Sequence, residues 1–297
     1  MTTFDQMIDQ TILYMNGFST VQDQSTHLTQ SATDSATTLN IASTQSLSRG
    51  LVEIGEELLW VDDVDKVAVT MTVPPYGRGF RGTTAAAHSS GTRVISAPLF
   101  PRSLVKQAIN ESVSAVFPDL WAVGTTTLAY TAAKTTYPLP TGVKEILAVS
   151  WSTTGPTKEW LPVRRWRLDQ HANTSSFTNG TSLSVYDAIL PGRNLQIVYT
   201  TVPTQMSSGS DVFSTVTGLP DSTQDVIRLG AAYRMVPFFD AAHLSGMSAE
   251  ADVNANQMRQ NASTQLGRYF TQMYQMRLAE EAQSLQRIYP TRSHYTR

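Results

Sequence analysis

Residues 48–96, SRGLVEIGEELLWVDDVDKVAVTMTVPPYGRGFRGTTAAAHSSGTRVIS, decide the class of the fold. Short apolar runs broken by Gly50 and Gly55, followed by KVAVTMTV with Val67, Val69 and Met71 in alternation, predict the hairpin strands of a small β-domain. The Gly- and Pro-rich run behind them predicts a long ordered loop, closed by a strand over Thr92 to Ile95. The acidic residues Glu53, Glu56, Glu57, Asp62, Asp63 and Asp65 interleave with Val52, Ile54, Leu58, Leu59 and Val61 and read as the solvated side of a hairpin. Inside the loop, Gly77, Gly79 and Gly82 satisfy G-x-G-x-x-G. A dinucleotide-binding turn needs a strand before that motif and a helix after it, so that the helix N-terminus meets the pyrophosphate. Here Pro74 and Pro75 precede it and TTAAAHSSG follows, so the motif reads as a structural loop and no cofactor is expected.

Working outward, TTLNIAS at 37–43 adds a strand, and residues 18–36 have no sustained period and almost no apolar content, as a polar linker would. Before it, Phe4, Ile8, Thr11, Ile12 and Met15 form the stripe of an amphipathic helix over residues 3–16. Downstream, residues 101–117 place Leu104, Ala108, Ile109, Val113 and Val116 on one helical face and stop at Pro118. Residues 124–201 return to short strands separated by turns, as in a sandwich or barrel-like sheet. Helical spacing resumes at Asp221 as N-cap, Pro237 is expected to kink or break that helix, and a last helix runs from about Ser248 to Arg287. The expected fold is α+β: a helical trunk of N-terminal, central and long C-terminal helices, carrying two β-rich insertions. Its expected parts are an N-terminal helix and polar linker (1–36), a small β-domain (37–96), a trunk helix (97–123), a β-sandwich-like domain (124–220), and C-terminal helices with a docking tail (221–297).

The chemistry available to this chain is narrow. It contains no cysteine, which excludes disulfides, Cys-ligated zinc, iron–sulfur clusters and a thiol nucleophile. His27, His88, His171, His243 and His294 show no metal-ligand spacing, and no G-x-S-x-G elbow accompanies His88, so neither a metal site nor a catalytic residue is expected. Charged residues make up 15% of the chain, against roughly 25% in ordinary soluble domains, and Thr, Ser, Gln and Asn take their place. Hydroxyls and amides are cheaper to bury than charges, which suits a protein packed against neighbours. No stretch approaches the roughly 20 apolar residues of a membrane span, and the N-terminus lacks a basic-then-apolar leader. The expectation is a structural assembly protein rather than an enzyme, with no membrane partner.

Two clusters are candidate sites. Arg164, Arg165 and Arg167 surround Trp166, a grouping suited to a subunit interface or to phosphate and base contact near DNA. After Glu281 there is no acid, while Arg287, Ile288, Tyr289, Arg292, Tyr295 and Arg297 occupy the last stretch. Such a segment is either an arm that inserts into a partner's groove or a frayed end.

The runs SRGLVEIGEELLWV and GRGFRGTTAAAHSSGTRV resemble a segment of tailed-bacteriophage virion proteins. The later order PRSLVKQAINESV, YPLPTGVKEILAVSW, PGRNLQIVYT, GLPDSTQDVIRLGAAYRM and a long terminal helix is similar to head-to-tail connector (adaptor) proteins of long-tailed phages. That resemblance implies a ring, expected to hold twelve copies, seated in the virion neck between capsid and tail. In that ring Arg287, Ile288, Tyr289, Arg292, Tyr295 and Arg297 would dock on the portal protein, and the body would meet a downstream neck or tail protein and line the channel for genomic DNA passing non-specifically. The chain would be made in the host cytoplasm. A tail or baseplate structural protein, or a glycan-binding receptor protein using the Trp and Tyr of the β-region, are the alternatives.

Overall fold

A computed structural model describes residues 1–19, 23–154, 159–245 and 253–289. It is an α+β structure with antiparallel sheets and, among the described residues, no closed barrel. The helices are α1 (Phe4–Asn16), α2 (Arg102–Ala115), α3 (Phe213–Thr217), α4 (Gln224–Ser245) and α5 (Val253–Ile288). The chain divides into two compact units: a first, Asp5–Ser112 with Ile227–Tyr274, and a second, Met1–Phe4 with Val113–Val226 and Gln275–Arg297.

In the first unit, the α1 stripe is buried at Met7, Ile8 and Met15. Thr11 shares that stripe, and its hydroxyl tolerates full burial by donating to the Met7 carbonyl at 2.7 Å. α2 buries Val105, Ala108 and Ile109, and α4 passes close to it at Gly230, where an added Cβ would stand 3.0 Å from the Ser112 hydroxyl. Helix α4 runs through Pro237 rather than ending there. Proline removes the hydrogen bond to the carbonyl four residues back, here that of Tyr233. Both Tyr233 and Pro237 are exposed, so water can take the freed acceptor.

The β-part of this unit contains β1 (Gln24–His27), β2 (Thr38–Asn40), β3 (Gly50–Ile54), β4 (Glu57–Val61), β5 (Asp63–Asp65), β6 (Thr70–Thr72) and β7 (Arg93–Ser96). They form two sheets, in the orders β1-β7-β3-β4 and β2-β6-β5, which share a core of Leu28, Leu39, Ile41, Val52, Ile54, Leu59, Val61, Met71, Val73 and Val94. Two expectations change here. The stretch read as polar linker supplies β1, an edge strand whose QSTH side chains are largely exposed; its place comes from backbone pairing with β7, which no apolar alternation announces. The strand expected over KVAVTMTV shortens to Thr70–Thr72, because the Asp65 carboxylate accepts the N–H groups of Val67 and Ala68 and folds a turn. Val67 is consequently 94% exposed and Val69 is left at φ 53°.

The acidic run also divides differently from the solvated face expected of it: Glu53 and Glu57 are 2% and 1% exposed. On a strand, residues two apart share a face, which puts Glu57 in phase with Leu59 and Val61. Inside the core its carboxylate meets the guanidinium of Arg78 through two bonds, Nε to Oε1 at 2.8 Å and Nη2 to Oε2 at 2.9 Å. The N–H groups of Gly79 (3.0 Å) and Ala86 (3.1 Å) add to it, and His88 Nε2 lies 2.7 Å from Oε2. Arg78 directs its remaining donors to the carbonyls of Thr33, Ala36 and Ala86. One buried ion pair thus ties the G-R-G-F-R-G loop to β4 and to the segment around Thr33. Gly79 at φ 58° makes the approach possible, since a Cβ there would meet the Thr83 carbonyl at 2.7 Å. Burial alone would raise the Glu57 carboxyl; Arg78, the two N–H groups and His88 outweigh it and hold the carboxyl at about 2.

The second unit holds β8 (Ala122–Ala129), β9 (Thr136–Pro138), β10 (Glu145–Ser152), β11 (Trp160–Pro162), β12 (Trp166–Asp169), β13 (Ser182–Val185) and β14 (Asn194–Thr201). Two sheets, β11-β10-β14-β8 and β12-β13-β9, enclose one core that includes Tyr137, Val149, Leu183, Val185, Leu195 and Ile197, a sandwich-like arrangement. The Tyr137 hydroxyl is satisfied inside it, donating toward the carbonyls of Thr131 and Lys134 at 3.0 and 2.9 Å.

Removing Arg78 leaves Glu57 charged and buried without its main partner. Arg78→Ala is expected to cost on the order of 3–5 kcal/mol in urea unfolding at neutral pH. Because the Glu57 carboxyl sits below its ordinary 4.5, its contribution is present above that value and lost as pH falls toward about 2. The gap between wild type and Arg78→Ala should therefore narrow across that window. An unchanged gap would show that the pair does not carry the stability assigned to it.

Candidate functional site

At residues 163–167 the second unit turns a corner between β11 and β12. Val163 is buried, and the Asp187 carboxylate organises the two residues after it by accepting the N–H groups of Arg164 (2.6 Å) and Arg165 (3.2 Å) and the Arg165 Nε (3.1 Å). Burial works to raise the Asp187 carboxyl, and these donors bring it below the ordinary carboxylate range. Strand alternation then separates the cluster: Trp166 and Leu168 pack against the sandwich core, while Arg164, Arg165 and Arg167 are exposed. The three arginine side chains are exposed, and the half-buried indole packs against the core. Nearby, Trp160 and Leu161 are 41% and 38% exposed on edge strand β11, and Tyr186 is 51% exposed. Exposed aromatic and apolar side chains beside arginines have the composition of a protein interface core.

The end of α5 is held up to a definite point. Arg277 binds Asp225 at 2.7 Å, Glu281 at 2.9 Å and Glu280, and Ser222 donates to Glu281 at 2.8 Å. The hydrogen bond to Asp225 leads the causes that raise the Arg277 pKa. Leu285 is buried, then Arg287 and Ile288 are exposed, and Tyr289 continues the turn with its N–H on the Leu285 carbonyl at 2.9 Å. Arg292, Tyr295 and Arg297 lie outside the described residues.

A third feature was not foreseen. A cleft of about 690 Å³ opens in the first unit between Ile12 and Leu13 of α1, Glu53 of β3, Arg93 and Ile95 of β7, and Phe100 and Arg102 leading into α2. Glu53 Oε2 accepts the Arg102 N–H at 2.7 Å and so caps the first turn of α2 from across the sheet. The Arg102 side chain turns away to Asp9 and, at 3.3 Å, to Asp5. Burial dominates the Glu53 environment and pushes its carboxyl up to about 7, despite the Arg102 N–H and charge, with Asp23 adding to the rise and Arg93 opposing it. Alternation places Glu53 on the strand face opposite Val52 and Ile54, and what buries it is the tertiary cover from Phe100 and α2. Among the described residues no group of three His, Asp or Glu side chains stands ready for a metal ion, and no helix is long and apolar enough to cross a membrane.

The family model described as SU10 adaptor protein matches residues 83–289, more than half of the chain. None of the curated proteins matches it.

The raised Glu53 carboxyl has a measurable cost. A folded-state value above the ordinary 4.5 means that stability is highest below that pH and falls as pH rises through about 7. Thermal unfolding followed across this window should show a decline on the order of 2–3 kcal/mol that Glu53→Gln removes. A variant that declines in parallel with wild type would sink the assignment.

Proposed function

Since the chain belongs to the SU10 adaptor protein family, whose members are structural adaptors of bacteriophage virions, we propose that it forms a head-to-tail connector ring that joins the portal to the neck or tail. The family match over residues 83–289 carries this reading. Subunits would close the ring heterologously, each presenting one face to a different face of the next. The exposed arginines at 164, 165 and 167, with Trp160 and Leu161 on a free sheet edge, support a place for that corner at a subunit boundary or beside the passing genome. The end of α5 is suited to the portal contact: the Arg277 fork holds the helix, and Arg287 and Ile288 beyond it are exposed. In this reading Arg292, Tyr295 and Arg297 would belong to the same docking segment. The polar, cysteine-free composition fits a body packed among other virion proteins and doing mechanical work.

Single-particle mass measurement of the chain with the portal ring of the same phage tests both parts. A discrete heavier species holding many copies is expected, and truncation after Tyr289 combined with Arg287→Ala and Ile288→Ala, which leaves Leu285 and the α5 anchor in place, should abolish it. Portal and chain that stay separate would overturn the portal contact. A heavier species that survives the combined variant would overturn the arm alone.

A further inference from the structure

The cleft beside Glu53 has no role in the ring reading and lies wholly within the first unit. Three observations make it more than a surface depression. Its wall is apolar on one side, where Ile12, Ile95 and Phe100 stand, and Leu13 at its mouth is 75% exposed. Its floor carries Glu53, buried to 2% exposure, whose carboxylate can accept several hydrogen bonds but receives one among the described residues, from the Arg102 N–H. The charges around it are unevenly matched. Asp9 and Asp5 of α1 are occupied by Arg102 of α2, which leaves Glu53 of β3 and Asp23 just before β1 facing Arg93 of β7, an exposed side chain free to stay in water.

We propose that this cleft is a docking site for an arginine side chain, flanked by an apolar residue, on a segment of a partner protein. A guanidinium can fork between two carboxylates while its aliphatic stem lies along an apolar wall, which matches a floor of Glu53 and Asp23 beneath Ile12, Leu13 and Phe100. The cap on α2 does not explain the acid, because a glutamine oxygen would accept the Arg102 N–H equally well and would avoid the cost of a buried charge at neutral pH. A cation supplies what the site lacks: it compensates both carboxylates and favours the ionised Glu53. Docking is therefore linked to loss of a proton from Glu53, and acidification weakens it.

Isothermal titration calorimetry with the peptide acetyl-Ile-Arg-amide provides the test, with acetyl-Ile-citrulline-amide as the isosteric uncharged control. The full chain should bind the arginine peptide saturably at about pH 8, release protons when titrated near pH 7, and bind at least about ten-fold more weakly at about pH 5.5. The citrulline peptide should fail to compete. Glu53→Gln should weaken binding about ten-fold or more with its circular dichroism unchanged, and Asp23→Asn, at a half-buried position, should cause a smaller loss. Absence of binding by the arginine peptide, equal binding of the citrulline peptide, or unaltered affinity in Glu53→Gln would each overturn the proposal. None of these outcomes touches the portal contact, which is read by mass in a separate experiment.

Discussion

The β-part of the first unit is organised around a single buried ion pair. Glu57 has no access to water, and an isolated carboxylate in such a place would not stay charged. It does so because Arg78, Gly79, Ala86 and His88 converge on it, and Arg78 in turn closes on three carbonyls. The G-R-G-F-R-G part of the loop between β6 and β7, with left-handed residues at Gly79, Arg81 and Gly82, acquires its shape from that convergence. Phe80 then settles over Trp60 at 5.6 Å, with Arg81 above its ring. A glycine-rich motif that by pattern alone could cradle a phosphate is here filled by the protein's own carboxylate.

Glu53 and Glu57 stand on neighbouring strands of one hairpin, and both are buried, yet their acidities diverge. Five donor atoms around Glu57 favour the ionised form strongly enough to overcome desolvation, whereas one N–H and more distant charges around Glu53 do not. The difference lies in which side chains the fold brings to each face. The saturated acid is structural, and the under-saturated one opens onto a cleft, where an unmet hydrogen-bonding capacity is available to a partner.

In the second unit, exposed charge and core are sorted within one short segment. Trp166 packs against the sandwich core, and the arginines on either side of it belong to the surface, so one short segment both closes the core and displays charge. Asp187 holds the corner at the point where the two tasks meet. At the end of α5 a similar division occurs along a helix: the Arg277 fork and Leu285 hold the last turns, and the side chains immediately beyond are left outward.

By itself the sequence determined the α+β class, the helices α1 and α2 from their apolar spacing, the hairpin around Gly55, the structural nature of the G-x-G-x-x-G loop, and the absence of thiol chemistry. These rest on local periodicity and composition, which act over a few residues. The alternation that carried β4 also placed Glu57 in phase with Leu59 and Val61, a signal present in the sequence but outweighed by the general rule that acidic runs face water. Only the tertiary structure decided that β1 pairs with β7, that α4 continues past Pro237, that Trp166 turns inward, and that Glu53 lines a cleft. Each of these depends on a partner distant in sequence. Ser96 pairs with Gln24, and Arg102 lends its N–H to Glu53; such pairings leave no local pattern, because backbone groups and long-range cover are blind to side-chain periodicity.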